Sequence, residues 1–128
     1  SNAQSQLDLK ATLASPALTS PSISYAINAQ TGTTYTSVLA DAGKIITTSN
    51  GSAITFTIPP NSSVAYPIGS SLTVISIGAG LTTFAQGSGV TIASTGATAT
   101  APIMRIQHSS ATAIKIGTDL WQVVGDIS

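Results

Sequence analysis

The chain contains no cysteine and no glutamate, and its charged side chains amount to three lysines, one arginine and four aspartates in 128 residues. Without cysteine there are no disulfides, no thiolate metal sites and no Cys nucleophile, although a redox compartment does not follow from this. The formal net charge is zero, and no basic cluster stands anywhere along the chain. A field that would draw nucleic acid or an anionic membrane is therefore missing. No apolar run approaches the roughly 18 residues that a spanning helix needs, which excludes insertion into a bilayer by a helix. Charged residues make up 6% of the chain, where ordinary globular domains carry about 25%.

What fills the space is hydroxyl. Serine and threonine together supply 38 residues, and hydrophobic residues 42%. Small, hydroxylated and β-branched side chains suit strand surfaces and strand-to-strand contacts. The expectation is an all-β chain that hides much of its surface in an oligomer.

Ser1-Asn2-Ala3 reads as the remnant of a removed expression tag, and no signal peptide is visible. Residues 4–31 form a Ser/Thr/Ala-rich stretch with Pro16 and Pro21 and only a weak helical opening at Leu7, Leu9 and Leu13. This stretch is read as a connector or shaft. Residues 32–128 are the head domain, where apolar and polar residues alternate in short runs between turn residues. Strands are expected over Thr33–Ser37, Lys44–Ser49, Ala53–Ile58, Leu72–Ile77, Leu81–Ala85, Val90–Ala93, Ile103–His108, Ala111–Ile116 and Leu120–Val124. Asn50-Gly51 predicts a hairpin between the second and third of these. Gly78-Ala79-Gly80 and Gln86-Gly87-Ser88-Gly89 read as hairpin turns, and Ser109-Ser110 and Gly117-Thr118-Asp119 join the last three strands. No window sustains helical spacing over three turns. The expected fold is an antiparallel β-sandwich or barrel-like meander.

Two stretches resemble proteins of tailed bacteriophages. Leu7-Asp8-Leu9-Lys10-Ala11-Thr12-Leu13-Ala14-Ser15-Pro16-Ala17-Leu18-Thr19 is similar to the repeated linkers of tail-fibre proteins. The likeness fades at Ser20-Pro21-Ser22-Ile23, where those linkers carry Gly-Thr-Pro. From Tyr35 onward, Leu39-Ala40-Asp41-Ala42-Gly43-Lys44, Thr57-Ile58-Pro59-Pro60-Asn61-Ser62-Ser63, Pro67-Ile68-Gly69, Gly89-Val90-Thr91-Ile92 and Ile114-Lys115-Ile116-Gly117-Thr118-Asp119-Leu120-Trp121 with Val124-Gly125-Asp126 resemble a C-terminal module of phage and prophage virion proteins. The resemblance implies a homotrimer, a virion or prophage-encoded location, other virion proteins as partners and contact with a host-surface glycan. A trimer also fits the scarcity of lysines, because assembly covers strand edges that a monomer would protect with charge.

The inventory for chemistry is thin. Of the carboxylates, Asp8 lies in the connector, Asp41 and Asp119 in turns, and Asp126 beside the C-terminus. Paired carboxylates would serve polysaccharide cleavage, but Asp41 and Asp119 read as turn formers that bond nearby amides. His108 is the single histidine and the single base open to a Ser-His-Asp arrangement. Strand alternation places it near the core edge with Met104 and Ile106, although a three-fold axis would also gather three copies around a metal. Trp121 reads as a core anchor rather than a sugar platform, and Tyr66 as packing. The glycine turns open no helix and so do not cradle phosphate. Asn50-Gly51-Ser52 and Asn61-Ser62-Ser63 match a glycosylation sequon, which matters only in a secreted eukaryotic protein.

No residue is assigned as catalytic, cofactor-binding or metal-ligating, and the receptor-binding residues are left unassigned. The reading is a non-enzymatic virion structural module that presents loops to a host-surface polymer. The alternatives are a purely architectural virion decoration or attachment protein and a polysaccharide depolymerase fragment.

Overall fold

The computed structural model describes residues 24–128; residues 4–23 of the expected connector, like the tag remnant, lie outside the described residues. Nine strands form two sheets: β1 (Ile27–Gln30), β2 (Thr34–Thr36), β3 (Ile45–Thr48), β4 (Ile54–Ile58), β5 (Ser71–Ser76), β6 (Thr82–Gln86), β7 (Thr91–Ala93), β8 (Ser110–Gly117) and β9 (Leu120–Gly125). Among the described residues the only helical element is one 3-10 turn, Leu39–Asp41. The all-β expectation holds.

The antiparallel meander does not. The six-stranded sheet has the order β1-β3-β5-β8-β9-β7 and the three-stranded sheet β2-β4-β6. Pairs β1-β3, β3-β5, β2-β4, β4-β6 and β7-β9 are parallel, and only β5-β8 and β8-β9 are antiparallel. The chain crosses from the larger sheet to the smaller and back, laying down three stacked rungs, β1+β2, β3+β4 and β5+β6. The hairpin expected across Gly117-Thr118-Asp119 does form, between β8 and β9, and β8 docks antiparallel on β5 to close the larger sheet. Residues 27–30, read from sequence as connector, are the first strand of the stack.

Asn50-Gly51 is therefore an arch between sheets, and so is Gly78-Ala79-Gly80. Hydrogen bonds at these corners run between rungs: Asn50 Nδ2 donates to the Thr31 carbonyl at 2.8 Å, and the Gly80 N–H to the Asn50 carbonyl at 2.8 Å. The third arch lies so close on the second that a Cβ at Gly80 would stand 1.9 Å from the Ser52 carbonyl oxygen, and one at Gly78 would stand 2.5 Å from the Asn50 nitrogen. Only glycine permits that approach.

Between the sheets the rungs stack like on like. Tyr35, Phe56 and Phe84 occupy one register position of β2, β4 and β6, with ring centroids 5.8 and 5.4 Å apart. Facing them, Ile46 and Val74 share a register position in the larger sheet and are fully buried. Each such side chain removed from water contributes about 1.5–3 kcal/mol. At the corner of the arches Thr48, Ser76 and Thr82 are buried, and their hydroxyls bond one another, Thr48 Oγ1 to Thr82 Oγ1 at 2.7 Å. That cluster satisfies groups which would otherwise cost free energy inside the core.

The strand expected over Ile103–His108 shrinks to two bridges, Thr83 to Ile103 and Met104 to Ile127. Beyond Met104 the Ser109 hydroxyl accepts the Ile106 N–H at 3.1 Å, and the Ser109 N–H donates to the Ile106 carbonyl. A side-chain hydroxyl thus replaces the ladder and turns the chain.

Candidate functional site

The stack presents two broad sheet faces. Outward positions of the six-stranded sheet run Ile27, Ile45, Thr73, Thr112 and Val124 across five strands. Flanking rows are Ser71, Ile114, Gln122 and Ala93, and Ala29, Thr47, Ile75 and Ser110. None of these positions carries a charge. Ile27 is 59% exposed and Val124 45%. The outward face of the smaller sheet is a threonine array, Thr34, Thr55 and Thr83 in one row and Thr36, Thr57 and Ala85 in the next.

The ionic groups of the described residues sit elsewhere. Asp41 is fully buried, and its carboxylate accepts the Tyr35 hydroxyl at 2.5 Å, Asn28 Nδ2 at 2.8 Å and the Val38 N–H at 2.9 Å. Burial first, then the hydrogen bond to this carboxylate, pushes the Tyr35 hydroxyl up to about 12. Gln30 Nε2 donates to Asn28 Oδ1 at 2.8 Å. The first rung thus places polar side chains where later rungs have Ile46, Thr48, Val74 and Ser76, giving the stack a hydrogen-bonded end.

At the other end Arg105 and Asp126 form a two-contact pair, Nε to Oδ1 at 2.6 Å and Nη2 to Oδ2 at 3.1 Å. The guanidinium, helped by the Ser109 hydroxyl, holds the Asp126 carboxyl below its ordinary range. Asp119, in the β8-β9 turn, accepts the Asn61 N–H at 2.7 Å. Lys44 is half-buried beside an open depression of about 240 Å³ lined also by Tyr25, Ile45, Ser71 and Thr73. The outward rows carry no ions because the ions of the described residues are turned inward, paired with each other, engaged in turns or placed at rims.

Of the residues weighed from sequence, the structure brings Trp121 against Tyr66 and Asp119 to the Asn61 backbone, but joins no carboxylate to another or to His108. Asp41 and Asp119 do act on backbone amides, as turn chemistry predicts, though Asp119 reaches a distant one in the β4-β5 loop. His108 does not lie at a core edge: it is exposed, in a left-handed backbone conformation with φ of 74°, and its N–H is tied to the Ser76 carbonyl. Among the described residues no three histidine or carboxylate side chains converge as a metal site would need. Trp121 is buried and meets Tyr66 edge-on, with centroids 5.4 Å apart. The Tyr66 hydroxyl donates to the Val38 carbonyl at 2.6 Å, with Ser37 Oγ 2.9 Å away.

Sequence reasoning missed one cluster. Lys115 shares the inward side of β8 with Ala111 and Ala113, and it is 2% exposed. Its Nζ donates to Asn61 Oδ1 at 2.6 Å and to the Tyr66 carbonyl at 2.7 Å. Alternation along Ala111–Ile116 already places this lysine on the alanine side.

No protein-family model matches the chain, and no curated protein sequence matches it.

Proposed function

We propose that the chain is a structural module of a bacteriophage virion appendage, of the tail-fibre kind. In this reading, copies of the chain assemble around a three-fold axis by packing the outward face of the six-stranded sheet, and the loops left uncovered meet a polymer on the host surface. One observation supports it above the others: the sheet's outward rows hold isoleucine, valine, alanine, hydroxyls and one glutamine, with no charge. A lone soluble domain normally keeps such a face interrupted by ions. The phage-like motifs of the sequence agree with it, as does the engagement of each described carboxylate in a structural hydrogen bond or ion pair. A carboxylate so engaged is a poor candidate for acid or base work.

Binding in such an appendage draws on multiplicity, since linked weak sites act at high effective concentration. The test is attachment of the labelled full-length chain to whole cells of candidate hosts and non-hosts. Saturable binding to a host, competed by its surface polysaccharide, is the expected result. Absence of binding to every host tried while the assembly stays intact would favour the purely architectural role. Loss of polysaccharide viscosity that depends on Asp41 or Asp119 would favour the depolymerase.

A further inference from the structure

Lys115 is buried on β8, yet the only ion pair among the described residues is Arg105 with Asp126. The groups against its Nζ are two neutral oxygens, Asn61 Oδ1 at 2.6 Å and the Tyr66 carbonyl at 2.7 Å. An ammonium kept from water without an anion is a costly arrangement. The backbone that carries the carboxamide is held in place. Asn61 follows Pro60 in a turn whose Ser63 and Val64 N–H groups both donate to the Pro60 carbonyl at 2.9 Å. Its own N–H is held by Asp119. Trp121 is the cross-strand partner of Lys115, and Tyr66 packs edge-on against that indole. A buried amine and a half-buried carboxamide are thus held in contact.

We propose that Lys115 and Asn61 condense into an intramolecular isopeptide bond. Nζ first gives up a proton, which frees its lone pair, and then attacks Asn61 Cγ; the Nζ–Cγ bond forms and the Cγ–Nδ2 bond breaks. Nδ2 departs with its two hydrogens and two from the ammonium, so that ammonium ion leaves and one hydrogen stays on the new amide. Atoms and charge balance, and no oxidant, reductant or cofactor enters. Fixed contact of the two groups supplies the proximity that such a step needs. The product suits the site better than the reactants, because a neutral amide replaces a buried cation while its N–H faces the Tyr66 carbonyl and Oδ1 remains an acceptor. Asp119 is a positioning residue, acting through the Asn61 backbone. The bond would tie the β4-β5 loop to the closing hairpin, and it stands whether or not the chain serves a virion.

Intact mass of the purified full-length chain, measured after denaturation, tests this. The expected value is below the sequence mass by one ammonia, while Lys115→Met and Asn61→Ala each show the mass of their own sequence. Trypsin should leave the chain uncut after Lys115, and residues 45–105 should travel covalently with 106–128. Asp119→Asn should slow the loss of ammonia in a time course after synthesis and leave its end point unchanged. A succinimide at Asn61-Ser62 also loses ammonia, but it survives Lys115→Met and joins no peptides. Wild-type protein at the full sequence mass, or an ammonia loss that persists in Lys115→Met, overturns the proposal. Should Lys115→Met fail to fold, the wild-type digest decides alone.

Discussion

Asp41 shows how much one residue carries in a chain with so few ions. It gathers a tyrosine hydroxyl, an asparagine amide and a backbone N–H from three places and so closes the first rung. Replacing Asp41 by alanine strands those donors at the end of the core, and chemical denaturation should record a loss of about 2–4 kcal/mol. The pH dependence has a definite sign. Tyr35 keeps its proton to higher pH in the fold, about 12 against an ordinary 10.0, so its stabilising contribution is complete below pH 10 and is lost as pH rises toward 12. Thermal midpoints followed from pH 9 to 12 should therefore fall, and Tyr35→Phe should fall less steeply across the same window. Equal slopes in the two proteins would remove Tyr35 from the account. Tyr66, also raised by burial, supplies part of the slope that remains.

At the level of strands and arches, the fold depends on rungs meeting closely. A Cβ at Gly80 cannot fit 1.9 Å from the Ser52 oxygen, so Gly80→Ala must push two arches apart, whereas Gly51→Ala meets nothing within 4 Å. The unfolding free energy from chemical denaturation should drop markedly for the first, by about 2 kcal/mol or more, and change little for the second. The same corner explains what the sequence conceals. Alternation correctly places β2 to β9, because one buried face per strand is all that it encodes. It is silent on which edge a strand bonds, and a hairpin and an arch bury the same alternate residues. Asn50-Gly51 therefore suggests a hairpin while its asparagine actually bonds the rungs above and below. A signal for stacking was present in the recurrence Thr34-Tyr35-Thr36, Thr55-Phe56-Thr57 and Thr83-Phe84-Ala85, three segments that fall in exact register. β1 escaped because Ile27–Gln30 carries Asn28 and Gln30 at the positions that pair with buried Ile46 and Thr48 and so shows no apolar inward face, and Ile103–His108 misled because Ser109 captures the backbone that its alternation offered to a ladder. The buried Lys115 cluster depends on Asn61 and Tyr66, brought to β8 from the β4-β5 loop, so parity alone could reveal the lysine but not its partners.

At the scale of the whole molecule, the low charge has a spatial meaning: the ions of the described residues are withdrawn to ends, turns, interior and rims, and the outward rows of both sheets are left neutral. Hydroxyls keep those faces wettable, and the aliphatic rows give a second copy something to bury. A lysine placed in the middle of the larger sheet's face should act on assembly rather than on the fold, since Ile114 points away from the core. The most direct measurement of this account is the mass of the full-length chain in solution by light scattering at micromolar concentration, alone and as Ile114→Lys. The wild type should have the mass of three chains and the folded variant that of one. Monodisperse wild-type monomers at that concentration, with the sheet face open to water, would contradict it.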